Sequence, residues 1–445
     1  MSGQEILGLS MLIAMISIIF VGFPIAFTLL FIALAFGSIG LGAELTFNLA
    51  YLQIWGTMKD DILPAVPLFI FMGFMTEQAG LMERLFLAMR NLLAPLRGSL
   101  YLSVILTATI FAMATGIVGA AVTVLGIMAG PVMMRSGYDA KLSAGAIAAG
   151  GTLGILIPPS IMLVVMGPTI GVPVNLLYAS AFGPGFLLAA MYIIYCLIRS
   201  HLKPELGPPV PLAERVTDKV ELVREFLIGV VPLTLLIGFT LGTILAGLAT
   251  PTEAASCGAV GATVLAAAYR KLTWKALKSA AMSTMITSSM VLFLAVSSNV
   301  FGAVFTKLGA TDLITNAISQ VPLPDMGKLL LIMGLIFVLG WPFEWPAVIL
   351  VFLPIFLPVV QKLNLGLSPQ EMMIWFGALV AVNLQTAFLS PPVAMSAYYL
   401  KNVMPQWSLG TIYRGMGNFM VIQILCLAAV LLWPEIVLWL PRAVQ

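Results

Sequence analysis

Charge is what this chain has least of. Asp, Glu, Lys and Arg make up 9% of its 445 residues and hydrophobic residues 61%, whereas a soluble domain is about a quarter charged. The composition therefore excludes an ordinary soluble globule. Histidine is nearly absent: His201 is the single copy, and it lies in a polar stretch. Three cysteines, Cys196, Cys257 and Cys426, sit inside apolar runs without paired spacing. That excludes a disulfide framework and a metal centre of the usual ligand spacing. No basic run is interleaved with aromatics, so nucleic acid is not a partner. No nucleophile–base pair accompanies any acid, so an enzyme ranks last and no cofactor is expected.

What is present is a series of apolar runs of about 20 residues, the length that spans a bilayer as helix. The first half gives 5–21, 24–41 and 62–79, an amphipathic stretch 81–96, then 98–136, 140–170 and 175–199. The N-terminus has no basic n-region or small-residue cleavage site, so 5–21 reads as a first span and not as a signal peptide. A Pro-rich linker, 201–221, separates the halves. The second half gives 222–246, 252–269, a basic surface stretch 270–280, then 283–306, an amphipathic 310–320, and finally 327–362, 371–400 and 412–440. Glu44, Asp60 and Asp61 read as solvated loop residues, and Glu253 in TPTEAAS as a helix-capping carboxylate.

The order of the first half returns in the second. ILIPPSIM at 155–162 matches FLSPPVAM at 388–395 with an offset of 233, and Pro131-Val132 and Pro24 match Pro358-Val359 and Pro251 with an offset of 227. Three proline landmarks in register indicate an internal repeat, 1–200 and 222–445. The segments 98–136 and 327–362 are each two short apolar legs around a Gly- or Pro-containing tip, and read as re-entrant hairpins. The first half then crosses the membrane an odd number of times, so the second is inverted. With the linker placed in the cytoplasm, sixteen of the 21 Lys and Arg fall on that side, as the positive-inside rule requires. Both termini then lie outside. The fold class is an all-α integral membrane protein of two inverted repeats with re-entrant hairpins and broken helices.

Proline removes a backbone donor and clashes with the preceding turn. The pairs Pro158-Pro159 and Pro391-Pro392 should therefore break the helices 140–170 and 371–400 in mid-membrane. Paired discontinuous helices in inverted repeats are the mark of secondary transporters, whose free helix N-termini attract anions and whose unwound carbonyls hold sodium. Around the breaks stand Thr152 and Gly154, and Asn383, Gln385, Thr386 and Ser390. At the hairpin tips stand Thr115, Gly116 and Gly119, and Glu344 between Trp341 and Trp345. An ionisable group at membrane depth is a functional candidate by default, here as a cation ligand or proton carrier. Pro158, Gln385, Ser390 and Pro391 are the candidate solute contacts.

These same segments, GTLGILIPPSIMLV, MMRSGYDAKLSAGAIAAGGTLG, TPTEAAS and NLQTAFLSPPVAM, resemble the large membrane subunit of tripartite ATP-independent periplasmic (TRAP) transporters over nearly the whole chain. The resemblance implies a small four-span membrane subunit and a periplasmic binding protein as partners, uptake driven by a sodium gradient, and a bacterial inner-membrane location. It implies an elevator-type ion-transporter fold. Carried over by position, Thr115, Gly116, Gly119, Thr152 and Gly154 would form one Na+ site, and Glu344, Asn383 and Thr386 would line a second. The chain departs from many relatives in its ATGIVGAAVT tip, which is not Ser-rich, and in having Glu344 and bulky tryptophans where they carry Asp and a Thr-rich stretch. Proton coupling therefore stays open beside sodium. The expected function is sodium-driven, binding-protein-dependent uptake of a small organic anion, a carboxylate. The alternative is a stand-alone symporter of the same fold.

Overall fold

In lipid a backbone amide has no water to bond, so a long apolar run closes its hydrogen bonds internally as helix. The computed structural model describes residues 2–444 apart from 212–214, 217 and 392–393. Among the described residues there are helices and no strand, and seven helices are long and apolar enough to cross a bilayer by length and composition. The first half holds α1 (Gly3–Val21), α2 (Ile25–Gly40), α3 (Ala43–Met58), α4 (Ala65–Gln78), α5 (Leu81–Leu93), α6 (Ser99–Thr115), α7 (Val118–Arg135), α8 (Ala140–Thr152), α9 (Ile161–Ile170) and α10 (Val174–Leu202). The second begins with α11 (Lys219–Gly229), α12 (Val231–Leu245), α13 (Pro251–Ala268), α14 (Trp274–Lys307), α15 (Ala310–Ser319) and α16 (Asp325–Leu339). It ends with α17 (Trp345–Ala347), α18 (Leu353–Val360), α19 (Pro369–Gln385), α20 (Met395–Val403), α21 (Leu409–Leu432) and α22 (Glu435–Val444).

Two stretches, 43–58 and 412–440, depart from the sequence reading. Residues 43–58 are helix α3, with Glu44 in its first turn and not in a loop. The helix packs on α2 and α14 with Thr46 and Ala50 buried, and the rest of its surface is half-buried or exposed. The basic stretch 270–280 is largely at the surface, as read, and runs into the 34-residue α14, which Thr273 caps by accepting the Ala276 N–H at 3.1 Å. The run 412–440 is two helices, because Pro434 cannot continue α21. The reading of Glu253 as a cap matches the structure, where its carboxylate accepts the Thr250 N–H at 2.8 Å.

The sequence-predicted hairpins fold back on themselves. Tyr138, just past α7, accepts the Leu100 N–H at 3.3 Å, so the start of α6 and the end of α7 lie side by side. Burial pushes the Tyr138 hydroxyl above its ordinary range, so it stays a neutral partner there. Likewise Asp325, at the start of α16, accepts the Asn364 N–H just past α18 at 2.9 Å. The 29-residue α10 is about 43 Å long at 1.5 Å per residue. Its C-terminal end meets the base of the first hairpin: beyond it, Leu206 C=O accepts the Asp139 N–H at 3.1 Å and the Tyr101 hydroxyl at 2.5 Å. Its N-terminal end follows α9, whose Val165, Pro168 and Thr169 share a cleft with Leu350 and Pro354 of the second hairpin.

Two packed groups result. In one, α4 packs on α13 and α14, and α14 on α2 and α3. In the other, α8 packs on α21, α7 and α6, α20 on α7, and α10 on α22 and α19. Each group takes elements from both halves of the sequence. The α8–α21 contact is close because both sides are glycine: a Cβ on Gly145 would strike the Gly415 carbonyl, and one on Gly415 the Lys141 carbonyl. Between the groups runs α5, bent 60° from α4, with Leu81, Leu85, Phe86 and Met89 buried and Glu83 and Arg84 exposed. The linker is strapped over the α5–α6 corner, where Gly207 C=O accepts the Gly98 N–H at 2.9 Å and Ala94 C=O the Val210 N–H at 3.2 Å.

Candidate functional site

The first tip is a two-residue break. Gly116 ends α6 in the left-handed region, φ 60°, which a side chain disfavours. Ile117 is extended and α7 begins at Val118. A Cβ on Gly116 would lie 3.3 Å from the Ile161 side chain and 3.5 Å from the Ile161 backbone nitrogen. The tip therefore rests on the N-terminus of α9. Upstream, α8 unwinds at Thr152 through a 3₁₀ turn, Leu153–Ile155, and the chain turns through a cis Pro158–Pro159 bond. Ser160 precedes α9 and donates to Ile155 C=O at 2.5 Å. This break is buried throughout, Pro158 included.

The second tip is wider. It spans Gly340 to Glu344, and the returning leg runs through α17, a π-helical stretch Val348–Phe352, and α18. Glu344 is the N-cap residue of α17; its carbonyl accepts the Ala347 and Val348 amides at 3.0 and 3.2 Å, while its carboxylate caps nothing. The matching break follows α19, again through a 3₁₀ turn, Thr386–Phe388. Asn383 donates to Met333 C=O at 2.8 Å and Thr386 to Asn383 C=O at 2.7 Å. Asn383 Oδ1, both polar atoms of Gln385, and the hydroxyls of Ser390 and Ser396 are buried without a partner. Buried polar atoms are nearly always satisfied, so each such group calls for a water, an ion or a ligand.

Both tips and both breaks face one cavity of about 280 Å³. Its walls include Gly116, Ile117, Val118 and Gly119 from the first tip and Glu344, Trp345 and Pro346 from the second. Ile155 and Ile161 flank the first break; Phe388, Met395 and Tyr399 flank the second. Ile70 of α4 and Thr287, Met290 and Val291 of α14 close the remaining side. The cavity thus lies on the seam between the two packed groups. The N-termini of α7, α9 and α20 open onto it, and the free amides there carry partial positive charge that favours an anion. Among the described residues, Glu344 is the one charged residue in the lining.

Of the sequence-predicted site residues, Gly116, Gly119 and Glu344 line this cavity. Gly154 packs behind the first tip, 3.6 Å from Ala112 Cα by its virtual Cβ. Thr152 does not face the cavity: it donates to Ala149 C=O at 2.8 Å and meets Gln423 of α21 at 3.5 Å. Asn383, Gln385, Thr386 and Ser390 form a buried layer behind the second break, Pro158 lies in the first turn, and Pro391 is exposed. Pro392 and the Thr115 side chain lie outside the described residues. Sequence reading missed Ile161, Met395, Tyr399 and Thr287. Tyr399 had one signal: it is four residues after Met395, hence on the same face of the half-helix. A Cβ on Gly119 would lie 2.9 Å from its ring, which is why the tip needs glycine there.

The family described as tripartite ATP-independent periplasmic transporter, DctM component, matches residues 12–436. The chain is 30% identical over 418 residues to the C4-dicarboxylate TRAP transporter large permease protein DctM of Pseudomonas aeruginosa, covering 91% of this chain and 94% of that one. It is 28% identical to the sialic acid TRAP transporter large permease protein SiaM of Vibrio cholerae, covering 96% of each. It is 26% identical to the ectoine TRAP transporter large permease protein TeaC of Halomonas elongata, covering 97% and 98%. Among solved structures, the Alcanivorax borkumensis YdaH transporter superposes with a TM-score of 0.61 at 16% identity, covering 90% of each chain. Neisseria gonorrhoeae MtrF superposes with a TM-score of 0.57 at 14% identity, covering 88% and 84%. At these identities the structural likeness concerns the fold alone.

Proposed function

The chain belongs to the DctM-component family of tripartite ATP-independent periplasmic transporters, and from that premise we propose that it imports a small organic anion, a carboxylate, driven by sodium. It is a multi-pass membrane permease. The observation that carries the finer reading is the single cavity onto which both tips and both breaks open. Three helix N-termini suit an anionic solute. Glu344 beside them does not: two negative charges about 4 Å apart repel by about 4 kcal/mol at an effective dielectric of 20. A cation bound with the solute removes that repulsion, which gives symport a physical cause. Sodium takes hydroxyl, amide, carbonyl and carboxylate oxygens, the groups that Glu344 and the layer of Asn383, Thr386 and Ser390 offer. A proton on Glu344 is the competing carrier.

In this reading the two halves are inverted repeats. Regions 98–170 and 327–400 travel together as the moving body of an elevator, while 5–41, 222–269 and α5 hold still. The glycine-lined contact of α7 with Tyr399, Leu400 and Val403 of α20 and with Met404 just past it supports joint movement of the two hairpin regions. A small four-span membrane subunit and a periplasmic binding protein complete the system in the bacterial inner membrane, with both termini on the periplasmic side. The test is reconstitution with both partners in vesicles. Solute uptake should rise with an inward sodium gradient and require the binding protein. Uptake indifferent to sodium but following a proton gradient overturns the ion, and uptake without the binding protein overturns the tripartite assembly.

A further inference from the structure

Outside the central cavity, two concavities of opposite character meet at one place. The first is a pocket of about 500 Å³ between α5 and α11, into which Arg84, Arg224 and Lys271 project together with Glu83, Glu221 and Glu225. Among the described residues, none of these six forms an ion pair with another. Arg84 lies over the Tyr269 ring at 4.7 Å and Glu225 accepts from Asn91 at 2.6 Å. The second is an apolar groove of about 720 Å³ between α12 and α13. Its walls, Leu235, Phe239, Val260 and Val264, are each at least 60% exposed. The two are neighbours along the chain. Ile228 and Gly229 line the pocket, Pro232 and Leu265 the groove, and the Tyr269 hydroxyl donates to Ile228 C=O at their boundary.

A charged pocket beside an exposed apolar groove has the polarity profile of a phospholipid. We propose that this pair of concavities binds one phosphatidylethanolamine molecule. Its phosphate sits among Arg84, Arg224 and Lys271, its ammonium among Glu83, Glu221 and Glu225, and an acyl chain fills the groove. The mixed charge selects the headgroup. A primary ammonium has three N–H donors for the carboxylates, whereas a choline has none. An anionic glycerol headgroup satisfies the three cations and leaves the three acids without a cation. A free phosphate or a soluble anion leaves the groove unused. A transmembrane helix of a partner fills the groove and leaves the six charges unmatched.

The test is native mass spectrometry of the full chain in detergent, titrated with phosphatidylethanolamine, phosphatidylcholine and phosphatidylglycerol of matched acyl chains. One phosphatidylethanolamine should be retained over the other two by at least about fivefold. Each cation reversed, Arg224→Glu or Lys271→Glu, should lower its retention about fivefold. Val264→Trp, on the exposed groove wall, should lower retention of all three lipids. Thermal unfolding checks each variant; should Val264→Trp fail to fold, the two surface reversals decide alone. Equal retention of the three lipids overturns the proposal, as does retention of phosphatidylethanolamine that ignores the reversals. Recovery of a membrane subunit cross-linked in the groove, in place of lipid, overturns it as well.

Discussion

Both broken helices end their first half in a 3₁₀ turn, at Leu153–Ile155 and at Thr386–Phe388, and both face the same cavity. Around the first, Ser160 bonds Ile155 C=O and Thr152 bonds Ala149 C=O, so the side-chain hydroxyls at the break are spent on local backbone. Around the second, Asn383, Gln385, Ser390 and Ser396 hold polar atoms with no partner, and Glu344 stands on the cavity wall. The two breaks thus differ in what they leave free: main-chain amides and glycine at the first, side-chain oxygen at the second. On the function proposed above this is a division of labour, in which the first break shapes the cavity and the second holds the ion.

Three variants break or sharpen this comparison. Glu344→Gln has the largest expected effect. If the carboxylate is the cation's partner, sodium-driven uptake falls about a hundredfold, the equivalent of about 3 kcal/mol for losing one member of a buried charge pair, while the amount of folded protein is unchanged. Uptake at the native rate over a range of sodium concentrations removes the division of labour. Gln385→Leu comes next and separates two readings of an unpartnered amide. If no ligand meets it, an apolar replacement of similar shape raises stability by about 1 kcal/mol and leaves transport alone. If an ion or solute meets it, uptake falls while thermal stability holds or rises, which is the outcome expected here. Ser160→Ala is the smallest. Losing its bond to Ile155 should lower stability by about 1 kcal/mol and leave the apparent sodium affinity unchanged; a changed sodium dependence would give the first break an ion role as well.

Much of the architecture was legible because lipid leaves the backbone few choices. Apolar run lengths gave most helices, and the proline pairs pointed to the breaks seen over 153–160 and from Thr386 to Pro391. The hairpins were readable from short legs around Gly116 and around WPFEWP. What was illegible came from tertiary packing. Helix α3 has polar residues, Glu44, Asn48 and Gln53, that loosen its apolar pattern, and only Thr46 and Ala50 are buried where it packs on α2 and α14. The cavity walls Ile161, Thr287 and Met395 are apolar or hydroxyl residues in apolar helices, indistinguishable in sequence from core. Thr152 looked like a site residue because it is polar and next to a break, but a helix turns about 100° per residue, and its face meets α21.

The strap over the α5–α6 corner also acts as a ruler. Its last anchor among the described residues is Val210 on Ala94, and α11 starts at Lys219 with Glu225 tied to Asn91 of α5. Nine peptide units connect the two, and an extended chain covers at most about 3.5 Å per residue. Val210 and the start of α11 can therefore separate by no more than about 30 Å while the strap stays fastened. If the first hairpin travels as proposed above, shortening those few residues should curb that travel without touching the cavity.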